Sequence, residues 1–417
     1  MRTLDLDHLP SQVTRKDTWL MNTIKSKFLS NMQQLKHGRV IFIDGEVTLN
    51  CGEDAAPTAT VEVHDDRFYT TLAAGGAVGA AEAYMQGLWT CDNLTDLIRI
   101  MLRNMNVIEG LGNAAFKKPL YKLLHWMNED TENGAKKNIA AHYDLGNQLF
   151  ERFLDPTMTY SAGFFEHAGV SMEQASIAKL DRICQKLELC ETDHIVEIGT
   201  GWGSFALHAA GHYGCKVTTT TISQEQFALA RERVKKAGLE DKINVVKKDY
   251  RHMEGQYDKL VSIEMIEAVG LKFLGNYFQK CASLLKPTGK MLIQAITIAD
   301  QHYEFSKRNV DFIQRYIFPG GALPSVTALT TTATDLTSLR MTALEDITEH
   351  YAMTLREWRK KFYANVDAIT ELGYDNRFLR MWEYYLCYCE GGFEERSIGC
   401  VQAEFTKPAF GHTTEPG

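Results

Sequence analysis

The residues with the clearest chemical use lie in the run Val196-Glu197-Ile198-Gly199-Thr200-Gly201-Trp202-Gly203. An apolar strand pattern runs into three glycines at alternate positions and then into a helical pattern, Ser204-Phe205-Ala206-Leu207-His208. Glycine at such a turn takes positive φ and lets the backbone approach a ligand closely. In an open α/β sheet the ligand sits at the carboxyl ends of the strands. The spacing G-x-G-x-G differs from the dinucleotide pattern G-x-G-x-x-G, and it suits a ligand with a ribose and an amino-acid tail rather than a pyrophosphate. The next strand ends Thr219-Thr220-Thr221-Ile222-Ser223, with no carboxylate before Glu225, so Thr221 and Gln226 are the polar groups available to a ribose. Asp249 and Tyr250 follow the third strand, where an adenine edge could be read. Glu264 and Glu267 stand three apart at the end of the fourth, a spacing open to a paired-carboxylate site. His208 and His212 are four apart on a helix, a metal-binding spacing, but no third ligand is evident and packing is the favoured reading.

These residues need a sheet to hold them, and from about residue 138 onward the pattern supplies one. Strand-like runs HIVEI, CKVTTTTI, INVVKKD, YDKLVSIEM and KMLIQAITI alternate with helical runs such as SQEQFALARERVKKAG, for which Ser223 is a plausible N-cap. Such alternation predicts a doubly wound α/β fold with a parallel sheet. A closing hairpin is expected from LRMTALEDIT and SIGCVQAEF. Upstream, Leu20, Ile24, Phe28 and Met32 recur every four residues as one face of a helix. VIFIDGEVTLN and TVEVHDDRFYTTL read as strands of a small sheet, and AEAYMQGLW and LTDLIRIMLRN as helices. A pattern-poor linker is expected at about 112–137. The expected domains are an accessory N-terminal α+β domain over 1–130, for lipid or membrane association, and a catalytic domain over 131–417.

Composition narrows the classes. The 417 residues are 45% hydrophobic and 24% charged, ordinary for a folded chain of two domains. A net charge of −8 gives no support for nucleic-acid binding. Nine cysteines without a C-x-x-C pair read as reduced thiols. The start, MRTLDLDHLP, does not read as a signal peptide. No apolar run is long enough to span a membrane, so contact with lipid is expected to be peripheral.

Several segments together resemble the cyclopropane-fatty-acyl-phospholipid synthase family, including its mycolic acid methyltransferase branch. They are His142-Tyr143-Asp144-Leu145-Gly146-Asn147, Leu154-Asp155-Pro156-Thr157-Met158-Thr159-Tyr160-Ser161 and the glycine turn. Further on come Thr221-Ile222-Ser223 with Glu225-Gln226, Met265-Ile266-Glu267, and Tyr316-Ile317-Phe318-Pro319-Gly320-Gly321 with Leu323-Pro324-Ser325. The resemblance covers about 138 to the C-terminus. It implies a seven-stranded class I methyltransferase sheet and S-adenosylmethionine as cofactor. The cofactor would be held by Glu197, Gly199, Gly201, Gly203, Thr221, Gln226, Asp249 and Tyr250, with Tyr160 and Ser161 closing over the sulfonium. His142 and Tyr143 would lie near the cofactor or acyl pocket. The implied reaction adds a methyl to the cis double bond of an unsaturated phospholipid acyl chain at the inner face of the membrane. A proton is then lost to close a cyclopropane ring.

The resemblance also implies Glu267 as the main catalytic carboxylate, Tyr351 as its hydrogen-bonding partner, and a bicarbonate ion as base. Three positions depart from the pattern: Ala162 stands at the family's cysteine, Gln294 at its histidine, and Ala268 after Glu267. Gln294 can still donate a hydrogen bond. The departures leave bicarbonate and the product open, between a cyclopropane and a methyl- or methylene-branched chain. An anion held between Glu267, Tyr351 and Gln294 would favour ring closure, and an apolar wall a branched product. A small-molecule methyltransferase and a non-catalytic lipid-binding relative stay as rivals, and a homodimer stays open. The aromatic stripe Phe378, Met381, Trp382, Tyr385 and Tyr388 reads as core, part of which could line an acyl tunnel.

Overall fold

The computed structural model describes residues 19–53, 56–105 and 145–411. The expected linker, His142 and Tyr143 lie outside them. Two compact units emerge. Among the described residues, the first takes in 19–105, 310–312 and 358–397, and the second takes in 145–309, 313–357 and 398–411. A single cut at 130/131 would give 358–397 to the catalytic domain, whereas their contacts place them with the N-terminal elements.

In the first unit, β1 (Arg39–Asp44), β2 (Val47–Gly52), β3 (Thr58–Val63) and β4 (Trp89–Cys91) form a sheet in the order β2-β1-β3-β4. β1 and β3 alternate buried and more exposed residues, as one-sided strands do. Their inner face meets Phe28 of the helix Trp19–Met32, with the Phe28 and Phe42 rings 5.3 Å apart. The run Arg67–Met85 is helical, kinked at Gly76, so RFYTTL is not a strand. Its aromatics are placed by burial: Phe68 and Tyr69 enter the core beside Phe28. The helix Asn376–Glu394 carries the aromatic stripe, and Trp382 and Tyr385 are buried in this unit. A Cβ on Gly391 would come within 2.9 Å of Ile98, so only glycine lets this helix approach Leu94–Arg103 so closely.

The second unit holds a seven-stranded sheet of β5 (His194–Ile198), β6 (Lys216–Thr221), β7 (Ile243–Lys247), β8 (Tyr257–Ile263), β9 (Leu285–Ile298), β10 (Arg340–Asp346) and β11 (Ile398–Thr406). The order is β10-β11-β9-β8-β5-β6-β7. β5 to β9 are parallel and β11 runs antiparallel between β9 and β10. This is the expected doubly wound class I sheet. β10 and β11 pair but form no tight hairpin, because helices lie between them in the chain. The central strands β5, β8 and β9 are largely buried, which explains their apolar runs, whereas the edge strands β7 and β10 are more exposed. Val196, Leu260, Ile293 and Val401 point into one core layer, and Ile195, Val261 and Leu292 into the other.

Candidate active site

The glycine turn leaves β5 with all three glycines at positive φ, at 97° for Gly199, 52° for Gly201 and 88° for Gly203. A Cβ on Gly199 would sit 3.2 Å from Met265, so this position refuses a side chain on both counts. The amides of Gly199 and Thr200 both donate to Thr220 O of β6, at 3.1 and 3.0 Å. Glu197 is buried one residue before β5 ends, and its Oε2 has no hydrogen-bond partner. Burial pushes its carboxyl up to about 8, against the pull of Thr219 and Lys179.

Thr221 closes β6 and donates to Gln226 Oε1 at 2.7 Å, while its Oγ1 accepts from Ser223 N. Ser223 caps the helix Gln224–Lys236 by accepting from Gln226 N. The cap therefore brings together the two residues expected at the ribose, in a corner without a carboxylate. Asp249 is buried and held by Arg251, whose Nε and Nη2 donate to it at 2.9 and 2.7 Å. Much of its acceptor capacity is thus already used. Tyr250 follows it, its ring 5.6 Å from that of Tyr277.

The segment before the helix Met172–Lys186 is fastened to the glycine turn. Arg233 donates to Trp202 O at 2.6 Å and to Thr157 O at 2.9 Å, and Ser204 Oγ also donates to Thr157 O. Trp202 Nε1 donates to Asn147 Oδ1 at 2.7 Å. Tyr160 packs on Phe150 and Phe153. Ser161 accepts from Lys179 Nζ at 2.8 Å. Lys179 is fully buried, and burial pushes its ammonium down to about 8, although Glu264 and other carboxylates draw it back. Sequence reasoning missed this lysine. Its signal was a charge on the buried stripe Ser176, Lys179, Leu180 and Ile183 of one helix.

Beyond the end of β8 the chain turns through Glu264, a non-glycine residue at φ 49°, a conformation worth explaining. Its amide donates to Gln294 O of β9 at 2.8 Å. Its carboxylate collects three donors: Ala162 N at 2.9 Å and Gln294 Nε2 at 2.7 Å on Oε1, and Tyr351 Oη at 2.6 Å on Oε2. The expected Tyr351–Glu267 pair does not form. Glu267 instead accepts from Ile296 N at 2.5 Å, and its Oε2 has no partner. The reason is the turn at Glu264, which presents the earlier carboxylate to β9 and to the helix Thr348–Ala364. Burial, then the charge of Glu264, pushes Glu267 up to about 8. Burial also raises Glu264, while its three donors and Lys179 oppose the rise. Tyr351, Gln294 and Ala162 thus converge on a protein carboxyl group, that of Glu264. His208 bonds Asp181 at 3.3 Å and stacks on His212, a packing arrangement.

A glycine turn at positive φ, an unpartnered carboxylate oxygen on Glu197 and the neutral Thr221–Gln226 corner offer the polar groups that a ligand with an ammonium and a ribose would use. S-adenosylmethionine has both. The family model for mycolic acid cyclopropane synthetase matches residues 130–403. A tuberculostearic acid methyltransferase of Mycobacterium tuberculosis is 35% identical over 382 residues, covering 87% of this chain and 86% of the relative. The cyclopropane-fatty-acyl-phospholipid synthase of Escherichia coli is 35% identical over 354 residues, covering 84% and 88%. A mycolic acid cyclopropane synthase crystallised with SAH and CTAB superposes with a TM-score of 0.61 at 29% identity, over 65% of this chain and 98% of that one. The chain therefore belongs to the mycolic acid cyclopropane synthetase family, whose members are S-adenosylmethionine-dependent methyltransferases that modify lipids.

Proposed function

We propose that this enzyme methylates the cis double bond of an unsaturated phospholipid acyl chain and closes a cyclopropane ring. The observation that carries the reading is the buried carboxylate held by Tyr351, Gln294 and Ala162 at the end of β8. When bound, S-adenosylmethionine supplies an electrophilic methyl group. An alkene is a weak nucleophile, so the protein must align the reactants and keep water away. Glu197, Gly199, Gly201, Gly203, Thr221, Gln226, Asp249 and Tyr250 hold the cofactor, with Tyr160 and Ser161 at its reactive end. Glu267, Tyr351 and Gln294 face the developing cation together with Glu264, whose carboxylate charge stabilises it while the phenol and amide hold that carboxylate in place. His142 and Tyr143 are proposed at the acyl chain from sequence alone. On this reading the enzyme works from the cytoplasm at the inner face of the membrane. No helix among the described residues is long and apolar enough to cross one.

A second reading is favoured by the 35% identity to a tuberculostearic acid methyltransferase. There the same transfer ends in a branched alkene: loss of a proton from a chain carbon leaves a methyl branch beside a double bond, and a hydride shift followed by proton loss from the added methyl leaves a methylene branch. Fatty-acid profiling of cells expressing the chain separates the two. Ring closure yields a chain one methylene heavier that resists hydrogenation of alkenes under mild conditions, whereas either branched alkene takes up hydrogen. Profiles identical to the control would overturn both readings.

A further inference from the structure

The two carboxylates beyond β8 are not equivalent, and a chain of side chains on the far side of Glu264 explains why. Lys186 Nζ donates to Gln402 Oε1 at 2.6 Å, Gln402 Nε2 to Gln294 Oε1 at 3.0 Å, and Gln294 Nε2 to Glu264 Oε1 at 2.7 Å. Gln294 and Gln402 are fully buried and face each other as register partners of β9 and β11. An ammonium can only donate. Lys186 therefore turns the Gln402 oxygen toward itself, which turns its amide nitrogen onto Gln294, which in turn presents N–H to Glu264. The chain has one direction, and it ends on an acceptor. A second donor, Ala162 N, meets the same oxygen.

Two N–H groups meet Glu264 Oε1 and the Tyr351 hydroxyl meets Oε2, and each of these donors favours the ionised form against the burial that opposes it. Glu267 accepts from Ile296 N on Oε1 and leaves Oε2 unpartnered. Its other contact is structural: its backbone carbonyl accepts from Ala322 N at 2.9 Å and so anchors the Phe318–Pro324 segment. No ion pair among the described residues reaches either carboxylate. The residues facing Glu264 are Lys179 from the helix Met172–Lys186, Tyr351 from the helix Thr348–Ala364, Cys400 from β11, with its Sγ 3.9 Å from Oε1, and Glu267 itself. An ionised carboxylate that is desolvated yet held in place is a poised base.

Building on the function proposed above, we infer that Glu264 is the group that takes the proton ending the reaction, and that Lys186, Gln402 and Gln294 are positioning residues that keep it ionised. A C–C bond forms from the alkene pair to the incoming methyl as the C–S bond breaks, leaving a cation on the acyl chain. Glu264 then accepts a proton, and the freed C–H pair closes the ring or restores an alkene. The proton passes to solvent when product leaves. An internal carboxylate in this place makes a separate bicarbonate ion unnecessary.

The test uses the full chain, methyl-labelled S-adenosylmethionine and unsaturated phosphatidylglycerol vesicles in bicarbonate-free buffer, with calorimetric binding of S-adenosylhomocysteine as a check of folding. Wild-type turnover should not change when bicarbonate is added. E264A should lose about 10²–10⁴-fold in turnover, the range of a general base, and added formate should restore at least tenfold of it. E264Q, which fills the space, should not respond to formate. Q402L should move the acid limb of kcat/KM to higher pH, because Glu264 loses an oriented donor, while affinity for S-adenosylhomocysteine stays the same. Wild-type dependence on bicarbonate, a fully active E264A, or a folded E264A that formate does not rescue would overturn the assignment. A second measurement is independent of turnover. The infrared difference between wild type and E264Q at neutral pH should show an ionised carboxylate at Glu264, and a protonated one would overturn the inference. Wild type that labels no lipid yet shows the ionised band would count against the proposed function alone.

Discussion

In the N-terminal unit, Glu390 is buried against Arg359, whose Nε and Nη2 both lie 3.0 Å from Oε2, with Thr95 Oγ1 as a third partner. In the catalytic unit, no ion pair among the described residues reaches Glu264 or Glu267, and neutral amides and a phenol hold the one while the other keeps a bare oxygen. The first arrangement neutralises charge and fixes a helix. The second leaves two buried carboxyl groups without a neutralising partner ion. A buried carboxylate whose counter-ion is missing is costly, and such cost marks a site that acts on something else.

The largest effect should come from breaking the neutralised pair. R359A strands Glu390 and should cost about 3–5 kcal/mol in unfolding free energy, read by denaturant titration. A loss equal to that of an ordinary surface substitution would dissolve the contrast. The next effect has the opposite sign. Glu267 is held up at about 8 in the fold, so the folded state binds more protons than the unfolded state between the ordinary carboxylate range and that value. Stability therefore falls as pH rises through this window and levels above it. E267Q should flatten that slope and gain roughly 1–3 kcal/mol at alkaline pH, the cost of an unsatisfied buried polar group. The remaining slope belongs to groups such as Glu197, raised in the same sense. A slope unchanged in E267Q would contradict the geometry. The smallest effect concerns the uncharged corner at β6. T221V removes the hydrogen bond to Gln226 and should weaken S-adenosylhomocysteine binding by about 0.5–1.5 kcal/mol, with no change in the pH dependence. Tight binding in T221V would remove that corner from the cofactor site.

Local features were legible in the sequence. The glycine turn was, because positive φ at alternate positions is a property of the residues themselves. So was the Ser223 cap, which places Gln226 within reach of Thr221 through a bond spanning three residues. Glu264 was not, since its role depends on a turn that gives it positive φ and on the register that sets Gln294 opposite Gln402. Glu267 matched a family pattern, but the pattern carried no information about which carboxylate Tyr351 meets. The run Phe68-Tyr69-Thr70-Thr71 has strand-forming residue types, yet tertiary burial of its two rings made it helical. The division into units was equally hidden, because 358–397 are distant in sequence from the elements they pack with.

The central claim, methyl transfer to a lipid alkene, is tested most directly by mass spectrometry of acyl chains. Purified enzyme would be given methyl-deuterated S-adenosylmethionine and vesicles of monounsaturated phospholipid. The account predicts chains one methylene heavier that retain two of the three deuterons on ring closure. Unlabelled acyl chains, with the label in a headgroup or in no lipid at all, would contradict it.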